Sequence, residues 1–173
     1  MNLKENNKIK TNNLKIITNI SIVNLADDIK YLGEASMYMW KEWAEQYGTR
    51  LEDIVYRTRH CLNKDSIPQT YIAKINDELV GVVSIWNNDL PFRQDLTPWL
   101  AGLYVKEKYR GIGIGKLLQN ECIEVVKQLG YKKLYLITEH ENYYERYGWI
   151  FIEKAPLRGG NQTRLYEFNI INM

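Results

Sequence analysis

Between a run that reads as a strand (residues 99–105) and a long amphipathic stretch (residues 114–129), the chain carries Tyr109-Arg110-Gly111-Ile112-Gly113-Ile114-Gly115-Lys116. Three glycines at alternate positions strip side chains from the turn, so its backbone can approach a ligand closely. The helix that begins there points unpaired N–H groups and the positive end of its dipole at whatever occupies the turn. That is an anion site, suited above all to phosphate. The same succession of strand, turn, helix and strand, with a helical crossover, implies local parallel pairing in the sheet.

Spacing separates the phosphate-bearing ligands. A P-loop needs four residues between its first Gly and a Gly-Lys-Ser/Thr. From Gly111 the pair Gly115-Lys116 arrives one residue early, and Leu117 offers no hydroxyl to a magnesium ion. A dinucleotide fingerprint needs G-x-G-x-x-G, whereas Gly111, Gly113 and Gly115 follow G-x-G-x-G. What remains is Arg110-x-x-Gly113-x-Gly115 after a strand, which resembles the pyrophosphate loop of the GNAT superfamily of acetyl-CoA-dependent N-acetyltransferases. A second segment, Tyr143-Tyr144-Glu145-Arg146-Tyr147-Gly148-Trp149, resembles the later signature of that superfamily, an aromatic-Tyr-Glu-basic-x-Gly-aromatic run. The two motifs occur in the family order with one helix and one strand between them. The resemblance covers roughly residues 70–153.

Hydrophobic periodicity fills in the elements. Residues 14–20 read as a first strand, and Asn24 or Asp27 can open a helical region that Gly33 interrupts. A helix over 34–47 places Met37, Trp40, Trp43, Ala44 and Tyr47 on one face and stops at Gly48. Thr49 is positioned to cap another over 51–62. Residues 70–75 and 79–86 flank a short turn and form a hairpin, while 87–98 hold two prolines and turn formers. The long helix places Ile114, Leu117, Leu118, Cys122, Val125, Val126 and Leu129 on its apolar stripe, with Gln119 and Glu121 elsewhere. Strands follow at 134–138, 148–153 and 164–170, with Pro156, Gly159 and Gly160 in the last bend.

The expected fold class is α/β (α+β). A GNAT-like mixed, mostly antiparallel sheet is covered by helices on both faces, and a parallel strand pair splays at the cofactor site. The 173 residues suffice for one domain with a substantial core. We expect a polar, unpatterned tail over 1–13 and a single domain over 14–173. The net charge of +2, with acids and bases interleaved, leaves no electrostatic footprint for nucleic acid. No apolar run approaches the ~18 residues of a membrane span, and the Asn- and Lys-rich start lacks the apolar core of a secretory signal. Cys61 and Cys122 match no metal or redox spacing, so no metal is expected and reduced thiols in a cytoplasmic protein are the simplest account.

The resemblance implies acetyl-CoA as acyl donor, bound at Gly111, Ile112, Gly113, Ile114, Gly115 and Lys116, with Arg110 contributing charge or bracing the loop. It implies that the backbone of Leu103, Tyr104 and Val105 pairs with the pantetheine amides as an added strand would. It further points to Tyr144 as general acid to the departing thiolate, a phenol of ordinary pKa about 10 being able to protonate it. Tyr143 and Tyr147 are expected to pack. The strands on either side of the long helix lack a carboxylate in their bodies. The base is therefore open between Glu139, His140, Glu141, Asp95 and water. A binding role for Asn142 belongs to the same region, where the helix of the family is shorter here.

The acceptor is expected to be a primary amine, on a small molecule or a peptide. Carboxylates and aromatics between Tyr31 and Asp53 suit a cation, or else form an amphipathic helix whose aromatics face the core. Trp86, Asp89, Arg93 and Asp95 can shape the pocket from the other side. A different class of protein, a non-catalytic acyl-CoA-binding or sensor module, would keep the loop without the chemistry. A nucleotide-binding enzyme would respond to ATP or NADH. Exposed strand edges near the C-terminal hairpin leave a homodimer open.

Overall fold

The computed structural model describes residues 19–157 and 159–170. The expected tail over 1–13 and most of the first expected strand lie outside the described residues. Among the described residues the first strand is β1 (Ile20–Asn24). Asn24 then accepts the Ala26 N–H through its side chain and opens a 3-10 turn (Leu25–Asp27).

Gly33 does not interrupt a helix, as the sequence had led us to expect. It lies within α1 (Leu32–Met39), where a side chain would meet open space. The helical path continues as a π-helical segment (Trp40–Ala44) and a 3-10 turn (Glu45–Tyr47), and ends at Gly48. This change of pitch breaks the expected apolar face. Tyr38 and Met39 are buried, while Trp43 and Tyr47 are 42% and 76% exposed. The Trp40 indole N–H donates to the Thr49 carbonyl, so Thr49 ties the end of this path. It does not cap α2 (Leu51–Arg59), whose N-cap is Arg50.

A hairpin of β2 (Gln69–Ile75) and β3 (Glu78–Trp86) follows. Next come β4 (Trp99–Val105), α3 (Ile114–Gln128), β5 (Lys133–Thr138), and the hairpin of β6 (Ile150–Pro156) and β7 (Gln162–Asn169). They build one seven-stranded sheet in the order β1-β2-β3-β4-β5-β7-β6. Every neighbouring pair is antiparallel except β4 and β5. The outer strand β6 leaves Ile150, Phe151 and Ile152 exposed.

Alternation along the strands sends side chains to two faces. On one, Ile114, Leu118 and Cys122 of α3 pack with Ala73, Val83, Leu134, Leu136 and Tyr166. On the other, Leu32, Ala35 and Met39 of α1 and Ile54 of α2 pack with Ile72, Leu79 and Val82. Further along that second face Trp99, Tyr135 and Leu165 pack with Leu90 of the 87–98 loop. Helices therefore cover both faces, and burial of these side chains at about 25 cal/mol per Å² supplies the main favourable term.

One α3 side chain departs from its expected place. Gln119 is buried rather than on the polar side, and its Oε1 accepts the Trp149 indole N–H at 3.0 Å.

Candidate active site

The site begins where the sheet comes apart. β4 and β5 stand in ladder register at Trp99 and Tyr135, where the Tyr135 N–H donates to the Pro98 carbonyl. Beyond this pair β5 continues its pairing with β7 up to Thr138, and β4 continues toward Val105 beside β3. The edges of β4 and β5 that face each other beyond Trp99 and Tyr135 are thus unpaired. This is a V-shaped opening whose β4 side carries Leu103, Tyr104 and Val105.

A bulge re-aims β4 inside that opening. Val82 stands opposite Tyr104 while Ser84 stands opposite Ala101, so β4 has one residue more than β3 over this stretch. Gly102 sits in the bulge with φ +59°, and a Cβ there would come within 3.0 Å of Met39 Sδ. Both the backbone conformation and the contact select glycine. Leu103 turns toward the α3 face, and Tyr104 toward Tyr38, ring centroids 5.1 Å apart.

From Val105 the chain runs into the glycine turn. Glu78 receives hydrogen bonds from Lys106 and Tyr109 and pairs with Lys108. These partners, Lys108 first and then Tyr109, hold its carboxyl down at about 2. Arg110 donates through Nε to the Val105 carbonyl and places its guanidinium over the Tyr104 ring. Its observed role is bracing. Gly111 and Gly113 have φ of +79° and +96° in open space, so the conformation and not crowding selects them. Gly113 is the N-cap of α3 and no side chain caps it. The N–H groups of Ile114, Gly115 and Lys116 open the helix without intrahelical acceptors. Ile114 anchors this turn in the core, while Lys116 is exposed.

The second motif closes the other side. Tyr144 is 8% exposed, with edge-on contacts to Tyr143 at 4.9 Å and Trp149 at 6.0 Å. Burial, with Tyr143 second, raises its pKa, so the phenol is protonated at neutral pH. Its hydroxyl makes no hydrogen bond within the described residues. The fully buried, unpartnered side-chain polar atoms there are Trp86 Nε1 and Gln119 Nε2. The Tyr144 oxygen is not among them, so it keeps an accessible edge. The Tyr143 hydroxyl lies near the glycine turn, 3.5 Å from where a Cβ on Gly115 would stand. This places the 143–147 segment against the start of α3.

Glu139, His140 and Asn142 lie just past β5 and are exposed. The His140 backbone N–H donates to Thr138 Oγ1, and the Asn142 carbonyl accepts from Arg146. Glu141 pairs with Arg164, which draws its carboxyl below the ordinary range. Asp95 is held by Arg93, which also bonds Glu153. Among the described residues no three His, Cys, Asp or Glu side chains are grouped to hold a metal ion, and no helix is long and apolar enough to cross a membrane.

A parted β4 and β5 with an uncapped glycine-rich helix start between them is the arrangement that the two sequence motifs led us to expect. Residues 34–149 match the sequence profile of the acetyltransferase (GNAT) family. The chain belongs to that family. A curated relative is N-alpha-acetyltransferase 30 of Schizosaccharomyces pombe, 32% identical over 85 residues that span 46% of this chain and 56% of the relative. The chain thus matches little more than half the length of that GNAT relative. An aminoglycoside 6'-N-acetyltransferase complexed with coenzyme A is similar in structure, with a TM-score of 0.68 at 20% identity over 87% of this chain and 97% of that one. A Staphylococcus aureus Mu50 GNAT acetyltransferase gives a TM-score of 0.64 at 20% identity, over 87% of this chain and 99% of that one. At such identities the likeness to solved GNAT structures carries the fold.

Sequence reasoning missed two features of the site. The bulge at Gly102 was not anticipated, although a lone glycine inside a strand is a signal for one. The seating of Arg57 of α2 over the Trp86 ring joins distant segments, and no local pattern announces it.

Proposed function

We propose that the protein transfers an acetyl group from acetyl-CoA to a primary amine by direct attack within a ternary complex. The observation that carries this reading is the single register pair Trp99–Tyr135. Beyond it an open strand edge leads straight to an uncapped helix start.

The residues fit the donor. Backbone N–H groups from Gly111 to Lys116 line a turn that is open at Gly111 and Gly113, which suits a pyrophosphate. The free edge of β4 at Leu103, Tyr104 and Val105 offers backbone groups to the pantetheine amides in the manner of an added strand. Acetyl-CoA bound this way supplies an activated acyl carbonyl at the opening between the strands. Backbone N–H groups at the Gly102 bulge, released from ladder pairing, polarise that carbonyl.

The amine enters from the opposite face, where α1, α2 and the 87–98 loop meet. It attacks in its neutral form, and the sulfur leaves as a thiolate. Tyr144 gives that thiolate its proton, since burial keeps the phenol protonated and its hydroxyl has no competing acceptor among the described residues. Glu139 and His140, exposed at the end of β5, deliver the amine proton to solvent directly or through water. Asn142 contributes its backbone to the donor side of this segment.

The test follows CoA-thiol release with a panel of primary amines and acetyl-CoA. Amine-dependent release that depends on Tyr144 supports the reading. Acetyl-CoA binding without turnover on any amine would instead favour an acyl-CoA-binding module.

A further inference from the structure

The face of the sheet opposite α3 carries two opposite charges that do not reach each other. Arg57 projects from α2, and its guanidinium sits over the Trp86 ring, 4.2 Å from the centroid. Asp89 follows Trp86 by three residues in the loop that closes over Trp99. Each lies within the field of the other. Yet neither forms an ion pair within 4.0 Å or a side-chain hydrogen bond among the described residues.

Two other arginines of these segments are paired. Arg93 bonds Asp95 and Glu153, and Arg50 bonds Asp53. The Arg57–Asp89 gap is also not slack in the chain. Leu90, next to Asp89, is fully buried and its carbonyl accepts the Arg93 N–H, while Asn88 Nδ2 donates to the Arg93 carbonyl. The loop is therefore pinned on both sides of Asp89. Arg57 is held by the Trp86 ring, a favourable seat for a guanidinium.

Desolvation outweighs the attraction between the two groups. It draws the Arg57 pKa down and lifts the Asp89 carboxyl to about 6. A closed Arg–carboxylate fork would remove much of that penalty. Among the described residues these are two unpaired opposite charges, Asp89 half-buried and Arg57 exposed over the Trp86 ring, and they are complementary to a ligand carrying the reverse order of charge. A simple ammonium at Asp89 would be opposed by Arg57, and a simple carboxylate at Arg57 would be opposed by Asp89. A zwitterion satisfies both.

The position fits an acceptor. Trp86 stands opposite Trp99, and Trp99 opposite Tyr135, the pair at which β4 and β5 part. Trp99 and Tyr135 point away from α3, together with Leu90. The Asp89 loop thus overlies the base of the opening on the side away from the glycine turn. An amine must approach from there to meet an acyl group held from the α3 side.

We propose that Arg57 and Asp89 form the acceptor subsite for a free α-amino acid, Arg57 receiving its carboxylate and Asp89 its α-ammonium. The proposal rests on the acetyl-transfer reading and names the acceptor class for it. Neighbouring charge that bears on the pair comes from α2 and the turn after it, where Cys61 is buried beside Arg57.

The test compares CoA release from acetyl-CoA with each of the twenty proteinogenic amino acids and with its α-amide, which keeps the amine and removes the carboxylate. At least one free amino acid is expected to exceed its amide in kcat/KM by roughly 10-fold or more, the scale of a lost charge partner at a solvent-accessible site. In Arg57→Met the acid should lose its advantage over its amide, and lose it through KM. Arg57→Lys should restore part of the preference. Equal turnover of acids and amides by the wild-type protein would overturn the proposal without recourse to any variant. So would a preference that survives Arg57→Met. Thermal stabilisation by acetyl-CoA is measured alongside. If acetyl-CoA stabilises the protein but no free amino acid is acetylated, the subsite proposal alone fails. If acetyl-CoA does not bind, the transfer reading falls and the subsite proposal with it.

Discussion

Trp99 and Tyr135 face each other at the parallel register pair of the sheet, their rings 5.8 Å apart and tilted by 45°. Both belong to the cluster that includes Leu90 and Leu165, so the last closed step between β4 and β5 is bolted by buried aromatics. Packing fixes where the strands stop pairing, and the opening beyond them is set by the fold before any ligand arrives. The glycine turn and the Gly102 bulge then decide what the opening can hold.

Removing the phenol of Tyr144 separates chemistry from binding. Tyr144→Phe keeps the ring contacts with Tyr143 and Trp149 and deletes the hydroxyl. Turnover should fall by roughly 10²- to 10⁴-fold, the usual contribution of a placed general acid. Acetyl-CoA affinity should change little, as read by calorimetry. An unchanged kcat would remove Tyr144 from the mechanism.

Gly113 tests the loop. Its φ of +96° suits no L side chain. Gly113→Ala should cost about 1–2 kcal/mol and lower the melting temperature by roughly 2–8 °C. Because a Cβ there meets open space, the core should be unaffected and the loss of acetyl-CoA binding should exceed the loss of stability. Differential scanning calorimetry with and without acetyl-CoA reads both.

The 99–128 region was legible for a physical reason. The β4 run and the α3 stripe are long, locally periodic segments, and the turn between them needs glycine for its own backbone. Strand pairing across β2 and β3 followed equally from the Asn76-Asp77 turn. The early region resisted because pitch changes at Trp40. A face computed on a regular helix over 34–47 then misplaces Trp43 and Tyr47. Gln119 was misplaced because its amide is buried only by virtue of Trp149, thirty residues away. The insertion of β7 between β5 and β6 likewise depends on tertiary packing and leaves no local trace.

Asp89 ties stability to pH. Its folded-state pKa of about 6 lies above the ordinary 3.8, burial being the cause. The native state therefore binds more protons than the unfolded chain between these values, and stability should fall as pH rises through that window. Two units correspond to roughly 2–3 kcal/mol. Asp89→Asn should be more stable than wild type at pH 7.5 and equal to it near pH 4. Thermal melts across pH 4–8 would contradict this if the variant lost stability at pH 7.5.

The Trp149–Gln119 hydrogen bond joins the second motif to α3. Trp149→Phe leaves Gln119 Oε1 buried without its donor, at a cost of about 1–3 kcal/mol. Adding Gln119→Leu removes the orphaned amide together with its unpartnered Nε2, so the double variant should regain part of the loss. Urea unfolding of the four proteins in the cycle measures the coupling. Strict additivity would contradict the pairing.

The central claim is that the opening between β4 and β5 holds acetyl-CoA. Its most direct test is thermal unfolding of the intact protein titrated with acetyl-CoA, with ATP and NADH in parallel. At ~100 times its dissociation constant a ligand adds about 2.7 kcal/mol, which for a domain of this size is roughly 5–10 °C. The account predicts a rise of that order with acetyl-CoA and none with ATP or NADH. No shift at millimolar acetyl-CoA, or an equal shift with ATP, would contradict it.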